Sequence, residues 1–350
     1  MPTLRGPFLL PQELVDLILD HLVGARSFKA CSLVSRAWMP RSRSYLFKTC
    51  KLSLRNLGAF CDLLRSPNCT FIPHVRSIAA YRCSGDAEDH CFNDVAEDLR
   101  RLINVRTLDV ILNIVIRASN VEDYFLRGFF TAFPHITRLD LLCGGKPPSL
   151  PAPLIKTLCM FPALQVLVVR ETSSLKLEEP PADAIPPPGL HSLTLGMGTG
   201  APILAWLHAT GHLPNVNSLK LDLVKLSEAS TVRAALQQVG GALHHLDIDL
   251  TWTPETYWAR SSTVFDLALH PNLKTLTLHD SSWDSSWIFD YGLRSFDTNQ
   301  MIQFITRLSA PTLERISVAL YLRVYENAHW EALDAFLCSD RFPRLRTVAF

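Results

Sequence analysis

The chain has 350 residues, 48% of them hydrophobic, with a mean hydropathy of +0.13 and a formal net charge of +1. That balance excludes a disordered chain and gives the whole no pull toward nucleic-acid phosphates or anionic lipid. The nine cysteines are odd in number and include no C-x-x-C pair, so neither a disulfide framework nor a zinc site is indicated. A reducing compartment, cytosol or nucleus, is expected. The opening MPTLRGPFLLPQE lacks the pattern of a secretory signal, and no run of the ~18 apolar residues that a membrane span needs occurs.

After a short tail over 1–8, residues 9–48 predict a small helical module. Pro11 suits a first helical position and Gly24 a helix stop. Between them Leu14, Val15, Leu17, Ile18, Leu19, Leu22 and Val23 make more than one apolar stripe at helical spacing. Ser27 is placed to cap a second helix bearing Phe28, Ala30, Cys31, Leu33 and Val34, and Pro40 to open a third that ends in Tyr45, Leu46 and Phe47. A unit of about 40 residues is at the lower limit for an independent core, so the surplus apolar surface must meet the rest of the chain or another protein. The nearby Arg36, Arg41, Arg43, Lys48, Lys51 and Arg55 read as a solvated helix face rather than a phosphate track.

Leu10, Pro11, Glu13, Leu14, Ile18, Leu19 and Leu22, followed by Leu33, Val34, Ser35, Arg36 and Trp38, resemble the F-box. This is the segment by which substrate receptors of cullin-type ubiquitin ligases bind a small Skp-family adaptor. The resemblance implies that Leu10, Pro11, Leu14, Ile18, Leu22, Val34, Ser35 and Trp38 face or frame that adaptor, through which a cullin is reached. The competing reading is that the same residues form the core of a helical cap on the larger domain.

Within residues 49–350, a pattern recurs from about residue 71 onward, best written Pro-x-h-x-x-h-x-h, where h is apolar; Ile103 and Gly241 replace the proline in two copies. Its first h falls at Val75, Val105, Ile136, Leu164, Leu190, Val216, Leu243, Leu273, Leu313 and Leu345. Successive spacings are 30, 31, 28, 26, 26, 27, 30, 40 and 32 residues. These are irregular leucine-rich-repeat lengths, and each copy reads as a turn and a short strand whose alternate residues enter a core. Helices are expected between strands at 92–102, 121–132, 203–210, 230–238, 298–307 and 330–337. An extra leading strand is expected over 48–57, with Phe60, Leu63 and Leu64 on its helix. The fold class expected is therefore α/β: a three-helix head followed by an irregular leucine-rich-repeat solenoid of parallel strands alternating with helices. The sequence ends inside its last strand, which leaves an edge without a capping unit and predicts a truncated chain, self-association or an aggregation risk.

Alternation also sorts the residues that leave the core. One row is Ser77, Thr107, Arg138, Val166, Ser192, Ser218, His245, Thr275, Arg315 and Thr347. The next is Ala79, Asp109, Asp140, Val168, Thr194, Lys220, Asp247, Thr277, Ser317 and Ala349. A third includes Tyr81, Arg170, Asp222, Asp249 and His279. Their mixed charge suits an interaction surface, and Asp109, Arg138, Asp140, Arg170, Lys220, His245 and Asp247 are the candidate target-binding residues on it. Trp283 and Trp287, in the long loop 281–296, are two more, since Trp is a frequent binding anchor. The proline-rich stretch Lys176 to Gly189 reads as a stiff surface connection.

One enzymatic reading competes. Gly196, Gly198 and Ala201 follow a strand and precede a helix, with Asp222 ending the next strand, which mimics a dinucleotide-binding turn. Against it, the interval is repeat five in register, Pro202 intrudes at the helix start, and Asp222 lies 26 residues beyond Gly196 rather than about 20. His244 and His245 adjoin on a strand and so point to opposite faces. No hydrolase, zinc-protease or P-loop motif occurs, and no cofactor or metal is expected. The preferred expectation is a non-catalytic substrate receptor of a Skp-cullin-F-box ligase that binds an unknown protein target. A plain interaction scaffold with a helical cap is the alternative.

Overall fold

The computed structural model describes residues 10–82, 85–113, 124–144, 151–170, 183–196, 198–222, 224, 228–249, 265–279, 302, 305–306, 310–319 and 329–349. Eleven parallel strands lie side by side in chain order. They are β1 (Thr49–Ser53), β2 (Ser77–Arg82), β3 (Thr107–Asn113), β4 (Arg138–Gly144), β5 (Val166–Arg170), β6 (Ser192–Leu195), β7 (Ser218–Asp222), β8 (His245–Asp249), β9 (Thr275–His279), β10 (Arg315–Ala319) and β11 (Thr347–Ala349). The repeat sets the register: Ile78, Leu108, Leu139, Leu167, Leu193, Leu219, Leu246, Leu276, Ile316 and Val348 are opposite one another in sequence of strands. All but Val348 are buried. A leucine-rich-repeat solenoid is therefore the architecture, with a single continuous core running under the sheet.

Helices close that core on one side. They include α4 (Leu54–Arg65), α5 (Gly85–Asp94), α6 (Ala96–Leu99), α7 (Tyr124–Thr131), α8 (Pro151–Cys159), α9 (Gly200–Ala209), α10 (Ala229–Val239) and α11 (Trp330–Leu337). Helices need about 8–10 Å of separation and strands only about 4.8 Å, which bends such a stack with the strands inside. Several expectations need correction. The leading strand stops at Ser53 rather than Leu57, because Asn56 Oδ1 accepts the Ser53 backbone N–H at 2.8 Å and turns the chain into α4. The helix expected over 92–102 is two pieces separated at Val95. Helix α8 was not among the expected helices; Pro151 and Pro153 fall in its first turn, which tolerates proline. The helix expected over 298–307 lies largely outside the described residues.

Three helices precede the sheet: α1 (Gln12–Asp20), α2 (Ala25–Val34) and α3 (Met39–Leu46). Helix α1 ends before Gly24, whose φ of +92° instead serves the tight entry into α2. Ser27 accordingly lies inside α2, and its hydroxyl donates to the Val23 carbonyl at 3.3 Å. The helices share a core of their own, Val15, Leu19 and Phe28, on which Leu22, Cys31, Trp38, Tyr45 and Leu46 pack. Contacts between side chains help tie this head to the arc. Phe47 stacks on Phe71 at 4.8 Å, and Arg43 Nη1 donates to Thr70 Oγ1 at 3.0 Å.

Candidate functional site

Two surfaces stand out, one on the head and one on the sheet. Helix α1 carries two apolar stripes. Val15 and Leu19 turn inward, while Leu14, Leu17 and Ile18, at the same helical spacing, and Leu10 just ahead of the helix remain 40–55% exposed. Val23, Leu33 and Val34 extend the exposed set, at 89%, 87% and 64%. Of the adaptor-facing candidates, Leu10, Pro11, Leu14, Ile18, Val34 and Ser35 are exposed. Leu22 and Trp38 are half-buried against the head's own core, which makes them supports of the surface rather than its face. Leu17, Val23 and Leu33 were not among the candidates, although Leu17 sits one turn from Leu14.

The exposure does not come from loose packing. Asp20 Oδ1 accepts from Arg41 Nη2 at 2.8 Å and from the Tyr45 hydroxyl at 2.5 Å, which locks α1 to α3. These bonds, Tyr45's first, hold the Asp20 carboxyl below the usual carboxylate range. Tyr45 in turn stacks on Phe28 at 4.8 Å.

The open face of the sheet reproduces the expected rows, since strand register aligns Arg138 with Val166 and Thr107, and Lys220 with Asp247 and Thr194. Its charges gather at two places. Over β3–β5, Arg170 Nη2 lies 2.8 Å and Arg138 Nη2 3.8 Å from the same oxygen, Asp140 Oδ2. Burial, and then Asp140 itself, pushes the neighbouring Asp109 carboxyl up. Over β7–β9, Lys220 Nζ lies 3.2 Å from Asp247 and 3.8 Å from Asp222. There His279 Nε2 is 3.2 Å from Asp247 Oδ1, which raises the histidine pKa. Burial pushes Asp222 up against the pull of Lys220. His245 is exposed on the same face, its pKa lowered by partial burial and then by His244. Asp222, Asp249 and His279 thus join the surface through register alone. Trp283 and Trp287 lie outside the described residues.

Catalytic arrangements fare differently. Gly196, Gly198, Thr199 and Ala201 are buried, the Gly196 N–H is spent on the Val169 carbonyl at 2.7 Å, and the Thr199 hydroxyl donates back to Gly196 at 2.8 Å. A turn so packed presents no open cradle for a pyrophosphate. Burial pushes the Cys50 and Cys61 thiols up to about 11, which keeps both protonated and poor as nucleophiles. Among the described residues no group of three or more His, Cys, Asp or Glu is placed to hold a metal ion, and no helix is long and apolar enough to cross a membrane.

No protein-family model matches the sequence, and no curated protein matches it. Among solved structures the chain is similar to a leucine-rich repeat-containing protein, LegL7 from Legionella pneumophila. That match has 14% identity and a TM-score of 0.42 and covers 87% of this chain and 95% of the other.

Proposed function

We propose that the chain is a target receptor. Its helical head docks a Skp-type adaptor of a cullin ubiquitin ligase, and its repeat arc holds a protein target. The observation that carries this reading is the outward stripe Leu14, Leu17 and Ile18, with Leu10 exposed just ahead of it, on a helix whose other stripe already fills the head's core. Exposed apolar surface of this kind, with Leu33 and Val34 also left open on α2, marks a docking face. The sequence resemblance to the F-box supplies the partner's identity. No residue need perform chemistry: holding target and charged ubiquitin carrier together replaces a bimolecular encounter.

The test is co-expression with a Skp-type adaptor. The wild-type chain is expected to co-purify with it at one-to-one stoichiometry, and Leu14→Asp to lose it while the arc still melts cooperatively. Wild-type protein that purifies free of adaptor overturns the ligase assignment and leaves an interaction scaffold. Trp38→Ala is a poorer probe, because Trp38 supports the head from within.

A further inference from the structure

We propose that Arg138 and Arg170 receive an acidic group of the protein target, a carboxylate or phosphate on a peptide segment laid along the open face of the sheet. This rests on the arc being the target-binding surface, as proposed above, and adds the chemistry of what it holds.

Each guanidinium has five N–H groups, and both arginines turn to one oxygen of one carboxylate. Arg170 makes the close bond and Arg138 approaches only to 3.8 Å. A single oxygen cannot satisfy two such forks. Asp140 is sunk in the sheet at 13% exposed, whereas the arginine side chains stand 44% and 58% exposed above it. The carboxylate therefore anchors Arg170 and draws Arg138 beside it, while both arginine side chains stay open to solvent. An incoming carboxylate or phosphate, planar or tetrahedral, matches that paired geometry.

The rest of the face decides where an anion settles. Beside the arginines, Lys51 stands close enough to act on Asp109, so three cations face two carboxylates there. Beginning two strand spacings beyond Arg170, about 10 Å along the sheet, Asp222, Asp247 and Asp249 meet Lys220 and His279. Three carboxylates against Lys220, His279 and the exposed His245 leave that end negative unless both histidines are protonated. Between them the floor is neutral: Val166, Val168, Ser192, Thr194 and Ser218. An acidic group gains at the first end and is repelled at the second, which fixes the direction of the bound segment.

The test uses the full-length chain and four pools of decapeptides with degenerate flanks and one fixed central residue: glutamate, phosphoserine, serine or lysine. The glutamate or phosphoserine pool is expected to be retained about tenfold or more over serine, the gain of a charge-assisted bond, and lysine not at all. Phosphoserine well above glutamate identifies a phosphate; equal retention identifies carboxylates. Arg138→Gln with Arg170→Gln should abolish the preference, Arg170→Lys should weaken it, and Arg233→Gln, an exposed arginine on α10, should leave it intact. A thermal melt confirms that each variant is folded. Equal retention of all pools, a lysine preference, or an acidic preference that survives the double variant overturns the proposal. Loss of adaptor co-purification with the arginine-dependent preference intact overturns the ligase reading alone.

Discussion

Head and arc are both rich in leucine, yet they dispose of it in opposite ways. In the arc, Ile78, Leu108, Leu139 and Leu167 are 0% exposed, each covered by the strand before and the strand after. In the head, Leu14, Leu17 and Leu33 are 46%, 55% and 87% exposed. Repetition explains the difference: a stacked unit always finds an identical apolar neighbour, whereas three short helices enclose only Val15, Leu19 and Phe28 and then run out of interior. Apolar residues in the arc are spent on stability, and those left over on the head stay exposed.

The largest expected effect separates these uses. Leu167→Ala, in the middle of the ladder, should cost about 2–5 kcal/mol, whereas Leu14→Ala should shift stability by no more than about 0.5 kcal/mol. Urea unfolding of the full chain measures both. Equal losses would mean that Leu14 is structural and that the contrast between head and arc fails.

A smaller effect should appear with pH. His270 is buried and its ring Nδ1 faces the Gly240 carbonyl at 2.8 Å, so that nitrogen donates, and burial lowers the pKa. The unfolded chain takes up this proton near an ordinary histidine value of about 6.5, so arc stability falls as pH drops through that value and toward the lowered one. His279 has the opposite sign: its raised pKa contributes stability that is full below the ordinary value and lost as pH rises through the raised one. In the head, the lowered Asp20 contributes above its unfolded value of about 3.9 and gives way only in stronger acid. Thermal melts from pH 7 to 5 should therefore show His270→Asn losing less stability on acidification than wild type. An unchanged slope in the variant would remove His270 from the account.

The strands were legible because their period of two repeats ten times in one register, so Arg138, Asp140 and Lys220 could be placed on the open face before any coordinates. What sequence could not give was set by packing and caps. The stretch read as a surface connection is partly interior: Ala184, Pro186 and Pro187 are buried, and Trp206 Nε1 donates to the Ala184 carbonyl at 2.9 Å. That bond spans 22 residues, with no local pattern to announce it. On the head, helical spacing marked two stripes on α1 but not which one turned inward. That choice depends on where Phe28 and Tyr45 arrive from later helices. The convergence of two arginines on one oxygen likewise depends on side-chain reach rather than strand register.

Backbone hydrogen exchange of the full chain, with and without a Skp-type adaptor, tests the central claim most directly. The account predicts slowed exchange over residues 10–18 and 33–35, with β3 to β9 unchanged. Protection confined to the sheet, or none anywhere with adaptor in excess, would contradict it.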